Sequence, residues 1–480
     1  MRNILIFLLS ALSFLSANAQ EKFFMTGLRP DNGTYDKLPR KVELVTRDYM
    51  LLPNQYSLFQ YCPEAKSQSS YGTCSTWATV YAARTIAEAV RQGWTEKDKI
   101  TEEAFSPLYV YAQIKDENDV ECQNGSFISE ALDLLKDKGA PKFSSFDVLC
   151  ASNASPDLMN VANQYKIDDY FTLFSISFTD ASEKIRKVKK AISEDCPVVI
   201  AMHLPESFQR AGKSWDGSDV DPSQHGYHAM CAIAYDDALN GGSFQIMNSW
   251  GTYWGDKGFV WVKYSDFAKY VDQAYEIYVN KTPTPVPTPE PDQNPEPDKD
   301  QVNYNQFAGE IELQLSTGEK MVPVLDSKNG MQCYRIADEY ISRTRYRIYI
   351  SNNEPAYVYV IGSDLGNNVS KVFPPTDNIS AALTYKSNHI AIPDETYFVE
   401  MDDTKGTDFM CVLYSRDALD INAIVDKIEV TEGSFYDKLK AAISEEMAPS
   451  EDITYDKNAI KFSAKTEKTL VPLIVELSHK

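Results

Sequence analysis

The stretch Gln68-Ser69-Ser70-Tyr71-Gly72-Thr73-Cys74-Ser75-Thr76-Trp77-Ala78 decides how this chain is interpreted. A glycine-bearing turn gives way there to an alanine-rich run with apolar residues at helical spacing, which predicts that a helix begins near Cys74. The dipole and the unpaired N–H groups at a helix start stabilise a thiolate. Because the thiolate is the nucleophilic form of cysteine, Cys74 is the candidate nucleophile.

Two side chains farther along the chain complete a thiol-dependent acyl-transfer set. His228 precedes a strand-like apolar run, and Asn248 opens the run Asn248-Ser249-Trp250-Gly251. In such a set the histidine takes the proton of the nucleophile, and a polar side chain orients the imidazole. We therefore expect Cys74, His228 and Asn248 to meet in one cleft. His225 is the alternative base, although its position favours a loop residue.

These residues resemble the papain-like cysteine peptidases over about residues 50–280. The resemblance rests on Gln68-x5-Cys74, His228-Ala229 and Asn248-Ser249-Trp250-Gly251-x2-Trp254-Gly255-x2-Gly258. It implies an α+β fold of two lobes, a helical lobe followed by a β-rich lobe. It also implies peptide-bond hydrolysis in which Cys74 attacks, His228 transfers the proton and Asn248 orients the imidazole. Gln68 and the Cys74 N–H would form the oxyanion hole.

The resemblance also implies substrate-binding positions. Residues 124–127 resemble the segment that pairs with the substrate backbone, and a glycine there lets two backbones approach closely. Gly125 and Ser126 are therefore candidates, although a plain turn glycine fits the sequence equally well. The remaining candidates are two pocket-lining alanines and a tryptophan that covers the histidine–asparagine hydrogen bond: Ala201, Ala229 and Trp250.

Two positions depart from the family's pattern. Tyr71 stands where the family has a disulfide cysteine, and Ser75 stands where a tryptophan follows the nucleophile. We therefore expect an altered wall beside the nucleophile. Of the eight cysteines, Cys122 and Cys150 bracket one helix-and-loop segment and are the best disulfide pair.

The charge and the residue types of the chain limit the classes of molecule that it is expected to bind. A net charge of −22 over 480 residues argues against nucleic acid. A metal site would use His225, His228 and Asp236 or Asp237, but no Cys/His pair with the spacing of a structural zinc site completes it, so we expect no metal. No cofactor is implied either. The expected partner is a peptide or protein substrate.

The first residues predict export. Arg2 precedes an apolar run at residues 4–15, which is too short to span a bilayer comfortably, and Ala17-Asn18-Ala19 is a small-x-small cleavage signal. We expect residues 1–19 to be a signal peptide, with no membrane span after its removal and a secreted or periplasmic location. A retained anchor is the alternative. Farther on, Tyr357-Val358-Tyr359-Val360 followed by Phe373-Pro374-Pro375 resembles an uncharacterised bacterial domain attached to exported or signalling proteins. Together with the signal and the linker described next, that resemblance suggests a bacterial source.

Composition shifts divide the rest of the chain. We expect a short polar leader at 20–49, the papain-like domain at 50–280, a proline-rich linker at 281–301 and a β-rich domain with a few helices at 302–480. At roughly 3.1 Å per residue the linker could hold two domains about 60 Å apart. If the leader inhibits the enzyme, it must do so with a shorter device than the family's usual propeptide.

Two other functions remain open. A papain-like shell could bind peptides without turnover, although no catalytic position is lost here. A different Cys/His acyl-transfer enzyme, such as a cell-wall amidase, would lack the Asn-Ser-Trp-Gly run. Residues 302–480 show no nucleophile cluster or phosphate loop, so we expect a module that binds or tethers an envelope or protein partner.

Overall fold

The computed structural model describes residues 24–30, 33–41, 52–151, 154–217, 226–279, 307–363, 369–384, 390–392 and 397–480. The predicted signal peptide, the boundary at residue 50 and the proline-rich linker lie outside these residues. Below, the N-terminal region means residues 52–279 and the C-terminal region means residues 307–480, each without its undescribed positions.

Helices dominate the first half of the N-terminal region, as predicted, and two further α-helices among its described residues lie in its second half. They are α1 (Cys74–Thr76), a π-helical segment (Trp77–Arg84), α2 (Thr85–Gln92), α3 (Lys97–Glu102), α4 (Pro107–Ile114), α5 (Ile128–Asp137), α6 (Pro156–Ala162), α7 (Ala181–Ser193) and α8 (Tyr264–Tyr270). The first three follow one another without a break, and we call them together the central helix. Every residue of its π-helical segment is buried.

Strands dominate the second half. They are β1 (Gln55–Ser57), β2 (Asp169–Thr172), β3 (Val198–Leu204), β4 (Ser214–Trp215), β5 (Gly226–Asp236), β6 (Ser243–Met247), β7 (Phe259–Lys263) and β8 (Val271–Tyr278). They form an eight-stranded sheet in the order β2-β8-β3-β5-β6-β7-β4, with β1 paired to β5. The strand-like run after His228 is confirmed as β5, and the expected β-rich second lobe is confirmed as well.

Strand β5 lies inside this sheet and positions the site. Its residues from His228 to Tyr235 are all buried, because β3 and β6 flank it and the central helix packs against it. A strand covered on both faces is a continuous apolar run rather than an alternating one. The sheet and the central helix therefore meet where β5 begins.

The leader packs against the N-terminal region. Tyr35 is completely buried, its hydroxyl exchanges hydrogen bonds with the backbone of Ala274, and its ring meets Tyr275 edge-on. The sequence predicted only a polar segment here. Among the described leader residues, Leu28 and Tyr35 are buried apolar residues.

The C-terminal region is β-rich with two α-helices among its described residues. Its helices are α9 (Ile421–Val430) and α10 (Phe435–Ile443). Its strands are β9 (Phe307–Leu315), β10 (Pro323–Lys328), β11 (Met331–Tyr340), β12 (Arg345–Asn352), β13 (Ala356–Ser363), β14 (Val369–Phe373), β15 (Ala382–Leu383), β16 (Ile390–Ile392), β17 (Val399–Glu400), β18 (Gly406–Ser415), β19 (Ile453–Tyr455), β20 (Ile460–Ala464) and β21 (Leu470–His479).

These strands form two sheets with one apolar core. One has the order β10-β11-β21-β18-β13-β14, with β15 on β13, and the other has the order β16-β12-β9-β20-β19, with β17 on β12. Residues from both sheets share the core, for example Ile311 and Phe462 with Val358 and Val412. Two sheets that bury their apolar faces against each other form a sandwich.

The two regions contact each other directly. Phe171 and Tyr278 share a buried apolar cluster with Tyr357 and Ala381, and the rings of Tyr278 and Tyr357 lie 6.4 Å apart. The proline-rich segment could hold two separate domains far apart, but the described residues on either side of it are packed together. Apolar burial at this contact stabilises the packing of the two regions.

Among the described residues, no helix combines the length and the apolar character needed to cross a bilayer.

Candidate active site

Cys74 is the first residue of the central helix, and its side chain is completely buried. The Gly27 N–H donates to the Cys74 sulfur at 3.1 Å, and the nearby backbone N–H groups of Ala229, Ser75 and Cys74 itself oppose the rise of the thiol pKa. The chain order of these donors shows that three separate segments converge on one atom. The helix start supplies two of them, as expected from its unpaired N–H groups.

His228 and Asn248 are brought together by strand register. β5 and β6 are antiparallel with Cys231 opposite Met247, so the residue after β6 falls beside the beginning of β5. His228 Nε2 and Asn248 Oδ1 lie 2.8 Å apart, and both side chains are buried. His225, the alternative base, lies outside the described residues.

The hydrogen bonds of Asn248 determine the histidine tautomer. Asn248 Oδ1 also accepts from the Ser249 N–H at 2.7 Å, so this end of the amide is the acceptor. Nε2 of His228 must therefore carry a proton and donate it. Nδ1 of His228 has no hydrogen-bond partner among the described residues, which leaves it able to accept a proton.

Trp250 covers this pair. Its ring stacks on His228 with centroids 4.7 Å apart and planes 26° apart, and Trp254 meets it edge-on. A ring in this position excludes water from the His228–Asn248 hydrogen bond, which strengthens the bond.

Gln68 lies in the same buried layer. Its Nε2 donates to the Tyr71 carbonyl at 2.8 Å, and its Oε1 accepts from Ser249 Oγ at 2.6 Å. One of its two amide hydrogens remains for another acceptor. Ser249 thus orients Gln68, a role that sequence reasoning missed, although the residue belongs to the Asn-Ser-Trp-Gly run.

Ser75, which forms the altered wall beside the nucleophile, has a hydrogen-bond partner in a distant segment. Ser75 Oγ and Ser126 Oγ are within hydrogen-bond distance at 2.5 Å, and both residues are buried. Gly125 next to it has a φ of +75°, a conformation that other residues rarely adopt. Ala201 and Ala229 are register partners on β3 and β5 and are almost fully buried.

The leader runs through the cleft formed by these residues. The Gly27 N–H donates to Cys74 Sγ at 3.1 Å. The Gly27 carbonyl accepts from the Ser126 N–H at 3.0 Å, and the Arg29 N–H donates to the Ser126 carbonyl at 3.2 Å. The leader therefore occupies the space beside the sulfur and turns a backbone N–H donor toward it.

Side chains on either side of Gly27 fix the leader. Phe24 stacks on Trp250 with centroids 4.9 Å apart, and the Trp250 indole N–H donates to the Met25 carbonyl. On the other side, the Arg29 guanidinium donates to the Gly125 carbonyl and pairs with Asp116 at 3.1 Å. Contacts of Phe24, Met25 and Arg29 therefore hold the leader on both sides of Gly27.

A sequence model described as "Papain family cysteine protease" matches residues 59–276. That segment contains the cysteine, the histidine and the asparagine with the geometry described above. Residues 59–276 belong to the papain family of cysteine proteases. The chain therefore contains a cysteine-type peptidase, a hydrolase whose substrates are polypeptides.

Individual relatives of the protease cover different shares of it. Cysteine proteinase 3 of Entamoeba histolytica is 26% identical over 245 residues, which are 50% of this chain and 70% of that protein. An uncharacterized peptidase C1-like protein of Acanthamoeba polyphaga mimivirus is 29% identical over 85 residues, 17% of this chain and 27% of that one. The structure of xylellain, a cysteine protease from Xylella fastidiosa, is 20% identical, covers 54% of this chain and 97% of its own, and has a TM-score of 0.44.

With the leader bound, burial shapes the acid–base balance of the protease. Burial raises the pKa of the Cys74 thiol to about 11, although the surrounding N–H groups oppose the shift. Burial lowers the pKa of His228 to about 4, against the hydrogen bond that its imidazole donates to Asn248. Burial penalises the charged forms, so the described pair is a neutral thiol and a neutral imidazole at neutral pH.

A disulfide joins Cys122 and Cys150 beside the cleft of the protease. The Cys122 carbonyl accepts from the Gly72 N–H at 2.7 Å, so the bridged loop supports the turn before Cys74. The remaining six cysteines are free thiols, and Cys74 is among them.

Proposed function

We propose that this chain is an exported cysteine peptidase that folds in a latent form and hydrolyses peptide bonds once its cleft is open. The hydrogen bond between His228 Nε2 and Asn248 Oδ1 carries the proposal. Because Nε2 donates in this bond, Nδ1 is the basic nitrogen of His228. The next residue in the chain is Ala229, whose backbone N–H lowers the pKa of the Cys74 thiol.

The proposed reaction has two halves. Cys74 Sγ attacks the substrate carbonyl carbon while His228 Nδ1 takes the thiol proton. The oxyanion is held by the Cys74 N–H and the remaining Gln68 amide hydrogen, and one such donor supplies about 3 kcal/mol. The amine leaves with the proton from His228, and water then hydrolyses the thioester by the same route.

The substrate would take the place of the leader. Gly125 and Ser126 supply backbone groups that the leader now uses, and Trp250 supplies an aromatic face that Phe24 now covers. Ala201 and Ala229 would line the neighbouring pocket with small side chains. Opening the cleft would also hydrate Cys74 and His228 and so favour the thiolate–imidazolium pair that burial disfavours.

Labelling of Cys74 tests the proposal. A peptide epoxide should label the opened protein covalently and abolish casein hydrolysis, and Cys74→Ala should neither be labelled nor hydrolyse casein. An opened protein that takes up no label and cleaves no polypeptide would instead be a binding shell. Hydrolysis of peptidoglycan amides without casein cleavage would favour a cell-wall amidase.

Export has its own test. The N-terminal signal pattern supports cleavage before Gln20. Expression in a bacterium that secretes proteins, followed by sequencing of the N-terminus, should give a chain that begins at Gln20 outside the cytoplasm. A chain that keeps residues 1–19 in the membrane would contradict it.

A further inference from the structure

Beyond the cleft, the leader reaches a second site that includes the C-terminal region. We infer that residues 378–384, here called the clamp, hold leader residues 39–41, here called the strap, and that this grip keeps the cleft plugged. The inference rests on the proposed function, because the cleft in question is the peptidase cleft. It gives the C-terminal region a partner within its own chain, whereas the sequence suggested an external one.

On one side, the strap extends the sheet of the N-terminal region. The Lys41 N–H donates to the Thr172 carbonyl at 2.9 Å, and the Thr172 N–H donates to the Pro39 carbonyl at 3.0 Å. Thr172 ends β2, which is an edge strand of that sheet. An edge strand offers unpaired N–H and C=O groups to any extended segment.

On its other side, the strap pairs with the clamp. The Arg40 N–H donates to the Asn378 carbonyl at 2.8 Å, and the Ser380 N–H donates to the Arg40 carbonyl at 2.8 Å. The two pairings alternate along the strap, as backbone groups do along a strand. The strap is thus an extended segment held between the two regions, and each region supplies two of its four hydrogen bonds.

A side-chain contact repeats this arrangement. Lys41 Nζ lies 2.7 Å from Glu276 Oε2 and 3.1 Å from Glu194 Oε2, and the Glu276 side chain has no exposed surface. Thr384 Oγ1 of the clamp donates to the same Glu276 carboxylate at 3.2 Å. Leader, N-terminal region and C-terminal region therefore converge on one buried carboxylate.

Charge favours a leader that stays in place. Burial alone would lower the pKa of the Lys41 ammonium, but the carboxylates of Glu194 and Glu276 outweigh it and raise the pKa. The lysine is therefore charged, and its departure would leave Glu276 without its cation. Removing one partner of a buried ion pair is strongly unfavourable because the other charge stays desolvated.

The clamp itself is anchored firmly. Next to it, Tyr357 lies against Tyr278 and donates a hydrogen bond to Asp169 Oδ2 at 3.3 Å within the apolar cluster between the regions. A leader fixed at two places on one chain rebinds at each with a high effective concentration. Loss of the strap contacts should therefore raise the fraction of molecules with an open cleft.

Hydrogen exchange in the full chain tests the clamp. The chain carries Cys74→Ser, so that no processing occurs, and mass spectrometry follows the amides of residues 24–30 and 33–41. Ser380→Pro removes the N–H that the strap uses, and Ser380→Ala keeps it while losing the same hydroxyl. We expect leader amides, including those at the cleft, to exchange about tenfold faster in Ser380→Pro than in Ser380→Ala, the loss of roughly one net hydrogen bond.

If proline at position 380 disturbs the fold of the clamp, amides throughout residues 369–384 will exchange fast. A second variant then decides the test. Thr384→Val removes only the hydroxyl that contacts Glu276, and Thr431→Val is its control, since Thr431 bonds within α9. We expect about threefold faster leader exchange in Thr384→Val alone, for a partial hydrogen-bond loss.

Unchanged leader exchange in both variants would overturn the inference. So would fast exchange confined to the strap while the amides at the cleft stay protected. Because the readout uses an inactive chain, it does not depend on turnover. Failure of the proposed function would appear only in the labelling of Cys74, so the two failures are distinguishable.

Discussion

Replacing Gly27 with alanine should release the leader from the cleft. A Cβ at this position would lie 2.1 Å from the carbonyl carbon and oxygen of Gly72, far inside contact distance. A shift of Gly72 is opposed by the hydrogen bond from its N–H to the Cys122 carbonyl in the disulfide-bridged loop, whereas the leader lies at the surface of the cleft. We therefore expect the leader to move away from the sulfur.

The size of the effect follows from the contacts that the movement breaks. Three hydrogen bonds join the leader to the cleft at this point: Gly27 to Cys74, Ser126 to Gly27, and Arg29 to Ser126. At about 0.5–1.5 kcal/mol net each, their loss destabilises the plugged state by roughly 1.5–4.5 kcal/mol. Since 1.4 kcal/mol is a factor of ten, the open population should rise roughly 10- to 1,000-fold.

The assay measures how fast Cys74 is alkylated by a small peptide epoxide in freshly purified full chain. The rate constant should rise with the open population in Gly27→Ala, and the leader should be lost sooner in a time course followed by mass spectrometry. Gly33→Ala is the matched control, because a Cβ there would meet nothing within 4 Å. It should behave as the unsubstituted chain.

Equal alkylation rates for Gly27→Ala and the unsubstituted chain would refute the reasoning, since an alanine cannot fit against Gly72 in the described path. A rise of the same size in Gly33→Ala would show that the change acts on the leader in general, with no role for the close approach.

Two further outcomes are expected. In the opened enzyme, Gln68→Ala should lower kcat/KM about 100-fold through loss of an oxyanion donor, and Ser249→Ala should lower it less, about threefold to tenfold, because only the orientation of Gln68 suffers. The plugged state should become less stable in acid. The pKa of His228 is about 4 in the plugged state, whereas its ordinary value is 6.5. The open state therefore binds the proton more tightly, and protonation favours it as the pH falls below 6.5. Latency is thus complete above that pH and is lost toward pH 4, by roughly 3 kcal/mol at most, measured as leader hydrogen exchange in Cys74→Ser.

Each has a control. If Ser249→Ala costs as much as Gln68→Ala, Ser249 does more than orient its neighbour, and unchanged activity in Gln68→Ala would remove Gln68 from the oxyanion hole. For the acid effect, adding His228→Gln to the Cys74→Ser chain should abolish the contribution of the imidazole. Identical pH profiles with and without that substitution would assign the effect to other groups.

The cleft residues were predictable because their signals are local. The turn before Cys74 and the apolar run of β5 after His228 each mark an element boundary within a few residues. Asn248 follows β6 directly, and an antiparallel partner brings it back to the start of β5. Resemblance to a family then supplied roles that spacing alone could not.

The roles of Ser249 and Ser75 needed coordinates. Each acts through one hydrogen bond to a residue distant in the chain, Gln68 and Ser126 respectively. The residues next to a serine in the sequence do not indicate which distant side chain its hydroxyl will contact.

By itself, the sequence predicted a catalytic set. It determined the α+β order of the N-terminal region and the β-rich character of the C-terminal region, because periodicity and turn chemistry are recorded residue by residue. Only the tertiary structure decided that the leader fills the cleft and that the C-terminal region grips it. Those contacts are made largely by backbone N–H and C=O groups, which every residue other than proline carries alike. In the sequence, such contacts are marked only by glycine, at positions where two backbones approach too closely for a side chain.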